Sequence, residues 1–261
     1  MPDRGLRFVD TGAAELGAAL LRAIDRDELA VLYQPIVAVR TGRPVRLEAL
    51  MRWNRPGVRM LTPANFISAA EQTGAIIALG HWILRRAISD CVQWQQDAPG
   101  VGVSINLSAK QLRDPNLGDA IDDVMHGASL PFELLEVDVK QSGLTDPSVD
   151  RLLRRLRGRG ASVALDDFNG EPSPLAALNA PLDRVKIDAP VVASLENTQG
   201  ESTVISTIFS AARAYSLEVI AEGVDSTYKL DRLRRIGCEF AQGFIFGEPG
   251  SIAHALSTLA T

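Results

Sequence analysis

The chain has 261 residues, 46% of them hydrophobic and 23% charged, and 27 Lys and Arg against 32 Asp and Glu leave a formal net charge of -5. That is the composition expected of a soluble globular protein whose core needs no staples, and two cysteines with three histidines exclude a Cys/His zinc cluster. The acidic balance argues against nonspecific binding to a nucleic-acid polymer; no run approaches the roughly 18 apolar residues of a membrane span, and MPDRGLRFVD lacks a signal peptide's apolar block, so the expected location is cytoplasmic.

Residues 1–29 read as a helical lead-in, carried by AAELGAALLRAIDRDEL, and residues 30–261 as one barrel domain with no linker, repeat or low-complexity block to divide it. Strand-like runs then recur: AVLYQPIVAV, PVRLEAL, VGVSINL, LLEVDV, SVALDDF, DRVKID, EVIAEGV and FAQGFIF. Stretches with helical apolar spacing lie between most of them. In HWILRRAISDCVQW, Ile83, Ala87 and Cys91 interleave with Leu84, Ile88 and Val92, which puts Cys91 on a buried stripe. LLRRLRGRG (residues 152–160) reads as a solvated helix face.

Eight strands alternating with helices in about 250 residues predict an α/β fold of the (β/α)8 TIM type. One connection departs from it. Only Thr41, Gly42 and Arg43 separate IVAVR from PVRLEAL, whereas a parallel crossover needs a dozen residues or more. The expectation is a modified barrel whose first strand is antiparallel.

Chemistry in such barrels sits where the C-terminal strand ends converge. The polar residues read at those ends are Gln34, Glu48, Asn106, Asp138, Asp166, Asp167, Lys186, Glu222 and Gln242, including five carboxylates. Acids so gathered repel one another unless cations neutralise them. An all-oxygen set without histidine selects hard cations such as Mg2+, Mn2+ or Ca2+. Two such ions bridged by a carboxylate suit phosphodiester cleavage, with Asp166-Asp167 as the bridge, Lys186 stabilising phosphate charge and Arg52 pairing with a phosphate. Helix N-caps for single acids, and a structural anchor for Lys186, are the plainer alternatives. A paired-carboxylate glycosidase is disfavoured, because no strand-end position is aromatic.

YQPIV, LEALMRW, SINLSAKQL, VALDDF, VKID, AEGVD and GCEFAQGFIFGEP, in that order from about Ala30 to Pro249, resemble the EAL-domain family of cyclic di-GMP phosphodiesterases. The resemblance implies a barrel with an antiparallel first strand, hydrolysis of cyclic di-GMP to pGpG with two Mg2+ or Mn2+ ions, and frequent homodimers. It places Glu48, Asn106, Asp138, Asp166, Asp167 and Glu222 at metal-ligand positions. Lys186, Glu222 and Gln242 match catalytic positions, while Gln34, Leu50 and Arg52 match nucleotide-contacting ones.

Four departures stand out. Asp138 replaces a glutamate, so its carboxylate is one methylene shorter, and Gln141 replaces another. DDFNGEPSP puts Asn169, Glu171, Pro172 and Pro174 into a loop that is usually rich in glycine, and prolines there fix φ and remove N–H donors. Asp225 stands where a second glutamate is usual. The expected function is therefore a cyclic di-GMP receptor or regulatory module with weak or absent phosphodiesterase activity, fused to or serving a separate regulatory domain. An active phosphodiesterase and a nucleotide-free protein-interaction module are the alternatives.

Overall fold

The computed structural model describes residues 12–168, 180–196 and 203–257. Eight strands close into a barrel in sequence order: β1 (Leu29–Ala38), β2 (Pro44–Trp53), β3 (Gly102–Leu107), β4 (Leu135–Lys140), β5 (Ser162–Phe168), β6 (Arg184–Ile187), β7 (Glu218–Ala221) and β8 (Phe240–Gln242). Strand β1 is antiparallel to both neighbours, β2 and β8. All other adjacent pairs are parallel. The short connection acts as expected: Ala38 O accepts from the amides of Thr41 (3.1 Å) and Gly42 (2.8 Å), with Gly42 at φ +68°, a left-handed conformation that favours glycine.

The described helices are α1 (Ala13–Asp25), α2 (Ile67–Thr73), α3 (Ala75–Trp94), α4 (Ala109–Leu112), α5 (Leu117–Gly127), α6 (Pro147–Arg159), α7 (Ala189–Ala193), α8 (Thr203–Ala214), α9 (Thr227–Ile236) and α10 (Ile252–Ser257). The predicted stripe on α3 buries Ile83, Leu84, Ala87, Ile88 and Cys91, but Val92 falls outside it and is exposed. The arginine-rich face of α6 is solvated, and several of its charges are paired: Arg154 with Asp150, Arg155 with Asp119 and Asp122, Arg157 with Asp183.

Alternation along each strand separates two environments. Leu47, Val103, Ile105, Val137, Val139, Val163, Leu165, Val185 and Ile187 are all buried, and supply the apolar layer between strands and helices. Most intervening positions put polar or charged groups inside the barrel, beside a few apolar ones such as Ile36 and Ile220, where branched aliphatics commonly fill it. Near the N-terminal strand ends, Glu136 is fully buried and its Oε2 accepts from Arg46 Nε at 3.2 Å and from Arg184 Nη1. Arg46 also donates to Ser162 Oγ at 3.0 Å, and Arg184 to Glu218 Oε2 at 2.9 Å. Gly102 makes room for this network, because a Cβ there would lie 2.4 Å from Arg46 Nη1 and 2.6 Å from Leu134 O.

Removing one partner from a buried charge network strands the others in low dielectric. Glu136→Gln, which leaves two guanidinium groups facing a neutral amide, is expected to destabilise the domain by about 3–5 kcal/mol. Urea unfolding followed by tryptophan fluorescence measures this as a lower midpoint at unchanged slope.

Candidate functional site

The second polar layer, nearer the C-terminal strand ends, is organised by one lysine. Lys186, from β6, is fully buried, and its ammonium lies 3.2 Å from Glu48 Oε1, 3.1 Å from Asp138 Oδ2, 3.8 Å from Asp166 Oδ1 and 2.9 Å from Glu222 Oε1. The four acids come from β2, β4, β5 and the residue following β7. Burial alone would lower the lysine pKa; the surrounding carboxylates hold it well above its ordinary value. Lys186 therefore carries its positive charge among these four acids.

The amides complete the layer. Asn106 Nδ2 donates to Glu48 Oε1 at 2.7 Å. Gln242 Nε2 donates to Glu48 Oε2 at 2.6 Å and to Gln34 Oε1 at 3.0 Å. Gln34 and Glu48 face each other across β1 and β2, but neither is at a strand end: the hairpin continues past them to Leu29 and Trp53. Continuous pairing to those residues carries the hairpin beyond the mouth, which an end-of-strand rule cannot anticipate. Burial raises the Glu48 pKa, yet Lys186 and the two amide donors together hold it below the usual value.

Asp166 and Asp167 reach the mouth together because β5 carries an irregularity. Leu165 pairs with Val185 and Phe168 with Ile187, so β5 has one extra residue there, the signature of a bulge that re-aims side chains. Asp167 takes φ +57°, a left-handed conformation that aspartate tolerates better than most residues. Oxygens of Asp166, Asp167 and Glu222 lie within 4.8 Å of one another. Asp167 Oδ2 accepts from Lys140 Nζ, which reaches over from the end of β4. Gln141 follows in a 3-10 turn, Gln141–Gly143, whereas Asn169, Glu171, Pro172 and Pro174 lie outside the described residues.

This donor set fits a hard divalent cation. It is all oxygen, and one of its buried atoms, Asp138 Oδ1, has no hydrogen-bond partner among the described residues, as is also true of Gln242 Oε1 in the same layer. Glu48, Asn106, Asp138, Asp166, Asp167 and Glu222 are the residues that would hold such ions. The layer opens into a cavity of about 670 Å³ with Gln34, Leu50, Pro190, Glu222 and Phe244 among its lining residues. Arg52 is not among them; its Nη1 donates to Met51 O at 2.9 Å.

Several contributors were not legible as site residues. Ser104 donates to Asp138 Oδ2 at 2.6 Å from the middle of β3. Phe244 is 64% exposed on the cavity rim, because β8 stops at Gln242 and the FAQGFIF run is not all strand. Lys229 is buried beside the cavity and paired with Asp225 at 2.8 Å; the i,i+4 spacing is the signal that could have found it.

Three of the acids have a raised pKa. Burial is the main cause for Asp138, pushed up to about 7, and for Asp166, pushed up to about 6; burial also raises Glu222. Folded, these groups bind protons that the unfolded chain has already released, so their stabilisation is present at low pH and is lost as pH rises through about 6 to 7. A bound cation favours the ionised carboxylates and reverses that trend. With EDTA, the melting temperature is expected to fall between pH 5 and pH 8, and saturating Mn2+ is expected to flatten or invert the slope, as differential scanning fluorimetry would record.

Residues 18–249 match the family model for the EAL domain. The chain is 32% identical over 237 residues to the cyclic di-GMP phosphodiesterase PdeR of Escherichia coli, covering 90% of this chain and 36% of that protein. It is 34% identical over 248 residues to the cyclic di-GMP phosphodiesterase NbdA of Pseudomonas aeruginosa, covering 93% and 32%. It thus spans about a third of the length of these curated relatives. Among solved structures, the PaMucR phosphodiesterase in complex with cyclic di-GMP superposes with a TM-score of 0.84 at 30% identity, covering 92% of this chain and 98% of that one. The FimX EAL domain of Xanthomonas citri shares the fold, with a TM-score of 0.81 at 20% identity over 91% and 94% of the two chains. Barrel closure with a reversed first strand, the ordered motifs and the match to the family model over residues 18–249 agree: the chain belongs to the EAL-domain family.

Proposed function

We propose that this chain is an EAL module that binds cyclic di-GMP at the barrel mouth together with divalent cations, and that hydrolyses it weakly or not at all. The observation that carries the reading is the state of Asp138. Its shorter side chain is fully buried, and its Oδ2 is held by both Ser104 at 2.6 Å and Lys186 at 3.1 Å, which leaves one oxygen for a cation. Asp138 is not among the acids whose oxygens lie within 4.8 Å of one another, which places it poorly to share an ion with Asp166 and Glu222, and a displacement of about an ångström is enough to impair catalysis.

Recognition has more support than turnover. Leu50, Pro190 and Phe244 give the cavity apolar walls suited to a purine face. Arg52 stands two residues beyond Leu50 on β2, and burial lowers its pKa without removing its charge. From that position its guanidinium would exchange the Met51 carbonyl for a ligand phosphate. Lys186 supplies a fixed positive charge beneath the ligand, and the unpartnered Gln242 Oε1 is a buried acceptor for an ordered water. Bound cations would supply Lewis acidity toward the phosphate oxygens.

The active-enzyme reading has its own support in the Asp166, Asp167 and Glu222 cluster. One experiment separates the two. Cyclic di-GMP is titrated into the protein in Ca2+, and a parallel sample with Mn2+ is incubated and followed for pGpG by chromatography. Expected are saturable binding, a loss of about tenfold or more in Arg52→Ala, and no more pGpG than Glu48→Ala releases. Rapid pGpG formation that Glu48→Ala abolishes overturns the proposal in favour of an active phosphodiesterase. Absence of binding to the wild-type chain overturns both readings.

A further inference from the structure

Five carboxylates form the polar layer at the mouth and two ammonium groups share them, while Asp225 and Lys229 beside the cavity pair with each other and add no net charge. Lys186 pairs with Glu48, Asp138, Asp166 and Glu222. The fifth, Asp167, is the one that Lys186 does not reach, and Lys140 takes it. Backbone pairing fixes this arrangement: Lys140 is the register partner of Asp166 across β4 and β5, and the bulge turns Asp167 toward it. Both side chains are about half exposed, at 59% and 48%, so as a plain surface ion pair they would contribute little to folding. Their effect falls on the cation site, because Asp167 belongs to the cluster whose oxygens lie within 4.8 Å of one another.

Charge decides how many cations that cluster can hold. Fully ionised, the five acids less the two ammonium groups leave three negative charges. One divalent ion brings the mouth within a single charge of neutrality. A second makes it positive before any anionic ligand arrives, and must displace or sit beside the Lys140 ammonium. Without Lys140, four negative charges would remain, which two divalent ions balance.

We propose that Lys140 is a tethered cation that takes the place of one metal ion: its contact with Asp167 makes the mouth a site for one tightly held divalent cation instead of two. The inference rests on reading the mouth as a divalent-cation site. It supplies a physical cause for weak hydrolysis, since chemistry that needs a bridged pair of ions would lack the second.

The test counts ions with no nucleotide present, so its outcome is independent of whether cyclic di-GMP binds or is cleaved. Mn2+ is titrated into the wild-type chain, Lys140→Thr and Lys140→Arg, and free Mn2+ is read from its six-line electron paramagnetic resonance signal. A dication a few ångströms from an ammonium group is repelled strongly enough that losing the lysine should tighten the weaker site by about tenfold or more. Expected are one tight ion in the wild-type chain, a second appearing in Lys140→Thr, and wild-type behaviour in Lys140→Arg. The same number and affinity of ions in the wild-type chain and Lys140→Thr, two tight ions in the wild-type chain, or Lys140→Arg behaving as Lys140→Thr would overturn the proposal.

Discussion

The ammonium of Lys186, held among four carboxylates inside the barrel, is the interaction on which the mouth depends. Five acids brought together by strand topology would otherwise repel one another in a medium that screens poorly. The lysine makes the assembly tolerable without abolishing its negative charge, and that residual charge is what would draw cations to the mouth. A lysine suits the position because its compact charge sits on a flexible stem, and here it meets acids from four directions. The lower layer uses the opposite arrangement, a single glutamate between two arginines. The barrel interior is therefore two charge layers of opposite organisation, one around a buried cation and one around a buried anion.

Polar interiors constrain what the surrounding shell must do. With so little aliphatic packing along the barrel axis, the apolar layer between strands and helices supplies most of the hydrophobic stabilisation. Its completeness is evident in the outward-facing Leu, Val and Ile residues, which are almost entirely inaccessible. The hairpin of β1 and β2 is tied to the shell separately. Tyr33 donates to Asp90 at 2.7 Å, and its ring meets Trp94 edge-on at 5.2 Å between centroids, fastening the first strand to α3.

Much of this was legible in the sequence, for identifiable reasons. Strand runs and the three-residue gap at Thr41, Gly42 and Arg43 gave the barrel and its reversed strand, because loop length limits strand direction without reference to tertiary contacts. Glu48, Asn106, Asp138, Asp166, Asp167, Lys186, Glu222 and Gln242 could be gathered because they recur at comparable places along successive strands. What escaped depends on distances between elements far apart in sequence. Ser104 looks like any mid-strand serine until Asp138 is beside it, and Lys140 looks like a solvated lysine until the β5 bulge presents Asp167. Arg46 and Arg184 sit at strand beginnings, where a rule about strand ends does not look. Val92 fits the apolar spacing of the stripe yet is exposed, because the buried face of α3 is narrower than that spacing suggests.

The closing seam of the barrel sets when the mouth comes into being. Strands β1 and β8 pair through only three residue couples, and the Gln34 to Gln242 hydrogen bond beside them joins positions 208 residues apart. Contacts of such sequence separation are the slowest to gain during folding, because the loop entropy must be met first. The cation layer straddles that seam, with Glu48 on one side and Gln242 on the other. No partly folded segment can present it. A ligand that selects the finished mouth thus stabilises the closed chain as a whole, and its binding reports on the entire barrel and not on any local piece of it.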